Sequence, residues 1–427
     1  MTQDVSTLQA PAANADIAQW LDYQLALHAR EIDLGLARVT QVAQQLGVIS
    51  LTSKVITVGG TNGKGTTCRM LEEILLAAGY SVGVYSSPHL IRYNERIRIN
   101  RQDVDDAAIV AAFEQIEQAR GATSLTFFEF GTLAALVLFK QQQPDVVILE
   151  VGLGGRLDAT NIVDSDISAV TSIDLDHQAF LGNTREQVGY EKAGIFRFGC
   201  PAIVGEPNMP ATVNEVAHAK GAFIKAVGLS FNYQQLGDGW QFDGEHWHFS
   251  QLPLPQLPLP NAATTLAILE QLLPDLPLTA IQTGLAKATL TGRMEHFSEQ
   301  PLVILDVAHN PHAARYLAQQ LAALLQGRQC YAICGMLKDK DIQGVLSVMA
   351  PLVQQWSLVT IDTERGATAQ ELYQALPAEQ NVSLFDDFSA AWRALTPKLS
   401  QEDVVIVFGS FYTVSGFKEV VQTIGKE

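Results

Sequence analysis

The sequence predicts an α/β protein with mainly parallel sheets, divided into two domains. Apolar, strand-like runs alternate with helical stretches over most of the 427 residues, which is the pattern of a parallel α/β sheet. A chain of this length is too long for one hydrophobic core, so more than one domain is expected. Hydrophobic residues make up 47% and charged residues 17% of the chain, a composition that excludes wholesale disorder.

The first series of elements begins with a strand over residues 54–60 (KVITVGG), which leads into a helix over residues 66–78. Further buried strands are predicted over residues 81–86, 145–151 and 167–173, because these are short apolar runs that contain β-branched residues. This order of elements indicates a large N-terminal domain with a mainly parallel sheet.

The alternation breaks at residues 231–260, where hairpin-like strands precede the extended run QLPLPQLPLP. A helix is predicted over residues 261–272, and a second series starts near residue 302 with the strands LVILDVA, CYAICGM, WSLVTID and DVVIVFGS. We therefore divide the chain into domains 1–296 and 297–427. The second domain, of about 130 residues, is large enough for its own core and is expected to be Rossmann-like.

The charge balance is acidic, with 45 Asp and Glu against 28 Lys and Arg and a formal net charge of −17. Such a surface repels nucleic acids and anionic membranes. No Lys or Arg precedes Arg30, and no run approaches the roughly 20 apolar residues that cross a bilayer. We expect a cytoplasmic protein without a targeting peptide. The four cysteines have no metal-ligand spacing and are predicted to be buried free thiols.

The strongest local motif is GGTNGKGTT at residues 59–67, between the first strand and its helix. Glycines allow several backbone N–H groups to point at one phosphate, while a lysine and the helix dipole add positive charge. The motif departs from the usual P-loop pattern, because Val58 occupies the first glycine position and Gly65 displaces the hydroxyl residue to Thr66. It predicts a P-loop-type ATPase domain whose nucleotide site contains Thr61, Asn62, Gly63, Lys64, Gly65 and Thr66.

The TNGKGTT form resembles the Mur ligase superfamily. Other motifs are similar to its folate branch, the bifunctional dihydrofolate synthases/folylpolyglutamate synthases, and they occur in the same order along nearly the whole chain. They are IDLGLARV, YSSPHLIRYNERI, LTFFEFGTL, ILEVGLGGRLDATN, EKAGIFR, LPNAATTLA, DVAHNPHAA, GMLKDKD and FGSF.

This resemblance implies a ligase that uses ATP and Mg²⁺ to add L-glutamate to dihydropteroate and to tetrahydrofolates through an acyl phosphate. It also implies K⁺ as a further cofactor and a monomeric protein. Three alternatives stay open at this point. They are a monofunctional folylpolyglutamate synthase, a peptidoglycan-type Mur ligase and a nucleotide-binding switch without ligase activity.

Glu150 ends an apolar strand, where a carboxylate can bind Mg²⁺ beside a phosphate loop. Ser87 and His177 also follow predicted strands, and the resemblance implies that all three residues bind magnesium. Lys192 would ordinarily be read as a surface lysine. The resemblance implies instead that it is catalytic and carbamylated, so that it becomes an oxygen ligand for a second Mg²⁺.

The resemblance further assigns Asn261, Arg293 and Asp306 to ATP, across the domain junction. It places His309, as a catalytic residue, and Ser410 near the glutamate or the reaction centre. From residue types alone, Asn261 could be a helix N-cap and Ser410 a turn residue at a strand end. An H-x-x-H zinc site starting at His309 has no evident third ligand.

The pterin side of the substrate is assigned by resemblance to three short segments. From residue types alone, the first two are a loop and a helix start that pack on a core. Aromatic rings suit stacking on a flat pterin, and a polar rim suits its hydrogen-bonding edge. The residues are Ile32, Asp33 and Leu34, then Thr126, Phe127, Phe128 and Glu129, then Leu157, Asp158 and Ala159.

Overall fold

The computed structural model describes residues 9–12 and 14–424, and it divides the chain into two compact units, Met1–Ala288 and Thr289–Glu427. The division lies earlier than the predicted boundary after residue 296. The strand Glu295–Glu299 pairs with a strand of the second unit, so this strand and the residues just before it belong to that unit. Residues 1–8, on which the expectation about a targeting peptide partly depends, lie outside the described residues.

The mainly parallel sheet of the first unit is confirmed. Its eight strands follow the spatial order β4-β3-β2-β5-β1-β6-β7-β8, in which only β3 and β4 run antiparallel to their neighbours. The sequence analysis did not predict β3, β4, β7 or β8, which have two to four residues each. The strands are β1 Lys54–Gly59, β2 Val82–Tyr85, β3 Ile97–Ile99, β4 Gln102–Asp103, β5 Val146–Glu150, β6 Ile167–Val170, β7 Pro201–Val204 and β8 Phe223–Ala226.

Ten helices accompany these strands in the part of the first unit that the structure describes. Several begin at a side-chain cap, for example Thr126, whose hydroxyl accepts from the N–H of Glu129 while the Glu129 carboxylate accepts from the N–H of Thr126. The helices are α1 Ile17–Leu27, α2 Ala37–Leu46, α3 Lys64–Ala77, α4 Asp106–Arg120, α5 Phe127–Gln142, α6 Gln178–Leu181, α7 Arg185–Ala193, α8 Ala211–Lys220, α9 Leu259–Leu272 and α10 Leu278–Lys287.

The core of the first unit lies on both faces of the sheet. Helices α1, α2, α4 and α5 cover one face, with Trp20, Phe113 and Phe130 fully buried and in ring contact. Side chains of a strand point alternately to the two faces of the sheet, and α3 covers the other face. This helix packs on α9 and α10 and lies against β1, β2 and β5. Helix α3, which follows the phosphate loop, is therefore held on several sides.

The position of β1 between β5 and β6 gathers the functional loops. In the register of the sheet, Val58 of β1 lies beside Glu150, and Gly59 lies beside Val170 of β6. The carboxyl ends of these parallel strands therefore meet at one edge, which is where α/β sheets bind ligands.

The region predicted as hairpin strands forms a separate three-stranded antiparallel sheet, made of β9 Asn232–Leu236, β10 Gly239–Asp243 and β11 His248–Pro253. Glu270 of α9 anchors the turn between β10 and β11. Its buried carboxylate accepts from the N–H groups of residues 245, 246 and 247 at 3.3, 2.7 and 2.6 Å. The predicted helix over residues 261–272 begins two residues earlier, at Leu259.

The second unit is an α/β domain with a six-stranded sheet in the order β12-β13-β17-β14-β15-β16, parallel except for β12. The four predicted strands are confirmed, and β12 and β16 were missed. The strands are β12 Glu295–Glu299, β13 Leu302–Asp306, β14 Cys330–Cys334, β15 Gln355–Val359, β16 Val382–Phe385 and β17 Val404–Phe408. The helices are α11 Pro311–Leu325, α12 Ile342–Met349, α13 Ala369–Ala375, α14 Phe388–Leu395 and α15 Phe411–Ile424.

All four cysteines are free thiols, as predicted. Three of them, Cys68, Cys330 and Cys334, are fully buried, whereas Cys200 is half-buried. Burial raises the pKa of each of these thiols, which keeps them protonated and unreactive. Among the described residues, no helix is both long enough and apolar enough to cross a membrane.

The role of Glu270 can be tested by unfolding. Glu270→Ala leaves the buried N–H of Trp247 and the part-buried N–H groups of residues 245 and 246 without their acceptor, and each buried group that stays unpaired costs about 1–3 kcal/mol. We expect the free energy of unfolding of the first unit to fall by at least about 2 kcal/mol in a urea titration. Lys225→Met, which removes a surface pair between Lys225 and Glu245, is the control and should cost less than about 1 kcal/mol. Equal losses in the two variants would contradict the anchoring role.

Candidate active site

The phosphate loop connects β1 to α3, which begins at Lys64 rather than at the predicted residue 66. Gly63 caps the helix with φ +89°, a conformation that favours glycine. The Lys64 ammonium donates to the carbonyl of Gly60 at 2.9 Å and to that of Thr61 at 3.4 Å. The first N–H groups of α3 and the lysine charge therefore belong to one compact loop, which suits a phosphate group.

The loop after β6 supports the phosphate loop. The Thr61 hydroxyl donates to the carbonyl of Asp174 and accepts from its N–H, both at 3.0 Å. The N–H of Asn62 donates to the Ser172 hydroxyl at 2.9 Å, and the carbonyl of Asn62 accepts from Thr171 Oγ1 at 2.6 Å. The side chain of Thr61 thus serves the shape of the loop, which the motif alone does not reveal.

Asn261 supports the same loop from α9. Its amide donates to the Thr66 hydroxyl at 2.7 Å, and a Cβ added at Gly63 would lie 2.5 Å from Asn261 Oδ1. The N-cap interpretation of Asn261 is wrong, because α9 is capped by Pro258 and Asn261 lies in its first turn.

The structure brings Ser87 and Glu150 together. Glu150 is 4% exposed, and the N–H of Ser87 donates to its Oε2 at 3.3 Å. The two residues follow neighbouring parallel strands, β2 and β5. A carboxylate and a hydroxyl are oxygen ligands of the kind that Mg²⁺ prefers, and they lie beside the phosphate loop, so these residues fit the implied metal.

Lys192 is 3% exposed, so its interpretation as a surface lysine is wrong. Burial, together with the nearby charge of Lys64, lowers the pKa of Lys192 to about 7, against the opposite effects of Asp176 and Asp158. A neutral buried amine is what reaction with CO₂ requires, so the residue fits the implied carbamate. His177 lies next to Asp176, with its Nε2 4.0 Å from Asp176 Oδ1 and a positive φ of 49°.

Two of the three predicted pterin segments are joined by Arg38, which the sequence interpretation missed. Arg38 on α2 donates to the Asp33 carboxylate at 2.6 Å and to Glu129 at 3.2 Å. Ile32 and Leu34, which flank Asp33 in the sequence, are half-buried. The only signal in the sequence was the position of Arg38, one turn after the IDL segment within IDLGLARV.

Phe127 and Phe128 are half-buried at the start of α5 and pack on the core beneath them. The Phe128 ring lies 5.8 Å from the ring of Tyr85, and the Arg96 guanidinium lies 5.3 Å from the ring of Phe127. The packing interpretation is therefore correct for one side of each ring, and their partial exposure also leaves area for a ligand.

In the third segment, Leu157 is half-buried whereas Asp158 and Ala159 are buried. The Asp158 carboxylate accepts from the N–H groups of Gly152 and Leu153 at 3.1 and 2.9 Å, and from the Thr160 hydroxyl at 2.6 Å. Burial raises the pKa of Asp158, against these hydrogen bonds. Its side chain thus shapes the loop after β5.

In the second unit, Asp306 ends β13, His309 follows it, Ser410 follows the adjacent strand β17, and Arg293 precedes β12. Asp306, which is 8% exposed, accepts from the N–H groups of residues 294 and 308 at 2.9 and 2.8 Å. Burial raises its pKa, and the nearby Arg293 charge opposes this. Arg293 also lies 5.2 Å from the Phe411 ring. His309 Nδ1 donates to the carbonyl of Val307 at 2.8 Å.

Ser410 is 3% exposed and caps α15, because its hydroxyl accepts from the N–H of Thr413 at 3.0 Å. This agrees with the interpretation of Ser410 as a turn residue at a strand end. Within residues 9–12 and 14–424, no group of three or more His, Cys, Asp or Glu side chains is arranged to bind a metal ion. The predicted magnesium set combines one carboxylate and one imidazole with a hydroxyl and a lysine.

Comparisons with known proteins identify the family of the chain. The Mur ligase middle domain matches residues 58–204, and the Mur ligase, glutamate ligase domain matches residues 292–411. The dihydrofolate synthase/folylpolyglutamate synthase of Escherichia coli (strain K12) is 52% identical over 413 residues, which cover 97% of this chain and 97% of that protein.

Solved structures give the same result. E. coli FolC in complex with DHPP and ADP is 52% identical with a TM-score of 0.95, over 97% of this chain and 100% of that one. A bifunctional folylpolyglutamate synthase/dihydrofolate synthase with Mn, AMPPNP and L-glutamate bound is 50% identical with a TM-score of 0.91, over 97% and 100% of the two chains. The chain therefore belongs to the dihydrofolate synthase/folylpolyglutamate synthase family of the Mur ligases.

Proposed function

We propose that the chain is an ATP-dependent, ADP-forming ligase that adds L-glutamate to dihydropteroate, forming dihydrofolate, and to tetrahydrofolates, forming polyglutamates. The observation that carries the proposal is the full-length relationship to bifunctional enzymes, at 52% identity over 97% of both chains. The phosphate loop beside Glu150 and Ser87 supplies the chemistry that this reaction needs. The bound nucleotide and L-glutamate of related structures fit the same reaction.

The reaction has two stages. The substrate carboxylate attacks the γ-phosphorus of ATP in line and releases ADP, while Lys64 and the N–H groups at the start of α3 stabilise the charge on the transferred phosphoryl group. The α-amino group of L-glutamate then attacks the resulting acyl phosphate. The tetrahedral intermediate collapses to an amide and phosphate.

We assign the magnesium site to Ser87, Glu150 and His177, and a second site to a carbamylated Lys192. The metal ions would offset the repulsion between the substrate carboxylate and the phosphates. Glu150 supplies a buried anionic oxygen, and Lys192 would supply two more once its neutral amine has added to CO₂ and lost a proton. We further propose a K⁺ ion as an additional cofactor of this site, on the resemblance to the family alone.

We assign the remaining residues by unit. In the first unit, residues 61–66 with Asn261 bind the phosphates, and residues 32–34, 126–129 and 157–159 bind the pterin. In the second unit, Arg293 and Asp306 bind ATP. His309, as a catalytic residue, and Ser410 face the glutamate; His309 Nδ1 donates its N–H to the carbonyl of Val307. We further propose a cytoplasmic monomer that binds neither nucleic acid nor membranes.

An assay of ADP release tests the function. We expect turnover that requires L-glutamate together with either dihydropteroate or a tetrahydrofolate. Turnover with the tetrahydrofolate alone would favour a monofunctional folylpolyglutamate synthase. Slow ATP hydrolysis that neither acceptor changes would indicate a nucleotide-binding switch, and activity with a UDP-muramoyl substrate would indicate a peptidoglycan-type enzyme.

The phosphate-loop assignment can be tested with two glycines of equal φ. Gly63 and Gly79 flank α3, and both have φ +89°, but only at Gly63 would a Cβ meet a neighbour, at 2.5 Å from Asn261, whereas none lies within 4 Å at Gly79. We expect Gly63→Ala to abolish ADP binding in calorimetry. Gly79→Ala carries the same backbone strain and should bind ADP normally, because its site is distant from the loop. Normal ADP binding by a folded Gly63→Ala protein would refute the assignment.

The Lys192 carbamate has a pH signature. The pKa of Lys192 falls from 10.5 to about 7 on burial, so the neutral amine that reacts with CO₂ is abundant above about pH 7 and scarce at pH 6. We expect a ¹³C carbamate resonance with ¹³C-bicarbonate at pH 8 that is lost at pH 6 and absent in Lys192→Ala. That variant should be nearly inactive and partly rescued by small carboxylic acids. Lys220, which is also partly buried with a lowered pKa, gives the control variant Lys220→Ala, which should keep the resonance.

The lowered pKa of Lys192 also predicts how the stability of the protein depends on pH. Between about pH 7 and pH 10.5 the unfolded chain binds a proton that the folded chain has lost, so the stability of CO₂-free protein should rise with pH over this window. The rise should disappear in Lys192→Met. An unchanged slope in that variant would show that Lys192 keeps its proton in the folded state.

Bifunctionality can be tested at Phe128. Dihydropteroate ends at its benzoate carboxyl group, whereas a folate already carries glutamate, so one pterin pocket cannot present both carboxylates identically to one ATP. We expect Phe128→Ala to reduce kcat/KM for dihydropteroate by roughly 5- to 150-fold, which corresponds to about 1–3 kcal/mol of lost stacking, and to affect tetrahydrofolate much less. Phe128→Leu keeps the packing against Tyr85 without the stacking and separates the two effects. Equal losses with both acceptors would indicate that Phe128 only packs the core.

A further inference from the structure

A buried ion pair connects the phosphate-loop helix to the strand beside the Ser87 loop. Glu72 on α3 is 0% exposed, and Arg98 on β3 is 7% exposed. Arg98 Nη2 lies 3.2 Å from Glu72 Oε2, and Arg98 Nε lies 3.4 Å from both carboxylate oxygens. Arg69 donates to the same carboxylate at 2.9 Å. Because buried ion pairs often add little net stability, this pair is a candidate for a positioning role.

The other side of the Arg98 guanidinium reaches the residue before Ser87. Arg98 Nη1 donates to the Ser86 hydroxyl at 2.9 Å and to the carbonyl of Glu95 at 2.9 Å. The next residue in the chain, Ser87, donates its N–H to Glu150. One planar group therefore joins α3, whose N-terminus is the phosphate loop, to the loop that carries Ser87.

We propose that Arg98 and Glu72 are positioning residues that set the location of Ser87 relative to the phosphate loop, and thereby the affinity for the metal–nucleotide complex. The inference rests on the proposed function, since it requires Ser87 and Glu150 to bind the metal. Neither Arg98 nor Glu72 touches a substrate or the metal in this scheme. They act through the Ser86 hydroxyl.

The geometry explains why the residue is arginine. A guanidinium has five N–H donors in a rigid plane, so it can bind a carboxylate on one edge and the Ser86 hydroxyl on another. A lysine ammonium at the same position keeps the charge next to Glu72, but it has no planar set of donors that can bind the carboxylate and the Ser86 hydroxyl together. The neighbouring pair on the same helix offers a comparison, since Glu73 lies 2.9 Å from the half-exposed Arg101.

The test uses AMPPNP binding by calorimetry to the full chain, once with Mn²⁺ and once in EDTA. We expect Ser86→Ala and Arg98→Lys to weaken binding in Mn²⁺ by about 10- to 100-fold, which is typical when a residue supporting a metal ligand is removed. Binding in EDTA should be unchanged, because the phosphate loop stays intact. Arg101→Met is the matched control and should bind AMPPNP normally in both conditions.

The outcomes separate this inference from the proposed function. Glu150→Gln should lose the Mn²⁺-dependent part of binding. If it does, and Ser86→Ala binds like the unaltered chain, then the positioning role is wrong and the metal site stands. If Glu150→Gln has no effect, the metal site is wrong and this inference falls with it. Equal losses with Mn²⁺ and in EDTA, or an equal loss in Arg101→Met, would also overturn it. Ser86→Ala removes one hydroxyl from a half-buried residue, so it decides the matter even if Arg98→Lys fails to fold.

Discussion

The position of β1 between β5 and β6 is the constraint on which the active site depends. It places the phosphate loop beside Glu150 on one side and beside the loop after β6 on the other. The hydroxyl groups of Thr61, Thr171 and Ser172 then bind backbone atoms across this junction. A backbone that must direct several N–H groups at a phosphate cannot rearrange freely, and these cross-strand hydrogen bonds hold it in place before a ligand arrives.

Buried charges make up the next layer, and two of them behave in opposite ways. Glu72 is fully buried, and two guanidinium groups pair with its carboxylate. Lys192 is as deeply buried, but its neighbours include another cation, Lys64, and its pKa falls to about 7. For Glu72, pairing with the guanidinium groups offsets the cost of desolvation. For Lys192, loss of the proton does so. The first result is a rigid support, and the second is a nucleophilic amine.

The sequence predicted the architecture of both units and the longer strands, because buried parallel strands are continuous apolar runs. It missed β3 and β4, which are too short to show a period, and it placed the start of α3 too late because glycines weaken a helical pattern. The burial of Lys192 was also hidden. Exposure depends on what packs over a helix, and a single lysine in YEKAG carries no sign of its surroundings. Likewise Arg38, which binds Asp33, reaches Glu129 across 91 residues of sequence, a contact that spacing cannot reveal.

Several side chains within the recognised motifs have their hydrogen-bonding capacity used by their own loops. Thr61 binds the backbone of Asp174, Asp158 binds four groups of the loop after β5, and Ser410 caps α15. A motif can therefore specify the shape of a loop as much as a contact with a ligand. Replacing such a residue disturbs the backbone atoms that its side chain binds, whereas replacing Lys64 or Glu150 would remove a charge directly from the proposed site. The identity of a motif residue thus indicates where the chemistry occurs, and its hydrogen bonds decide whether it acts on the ligand or on the loop.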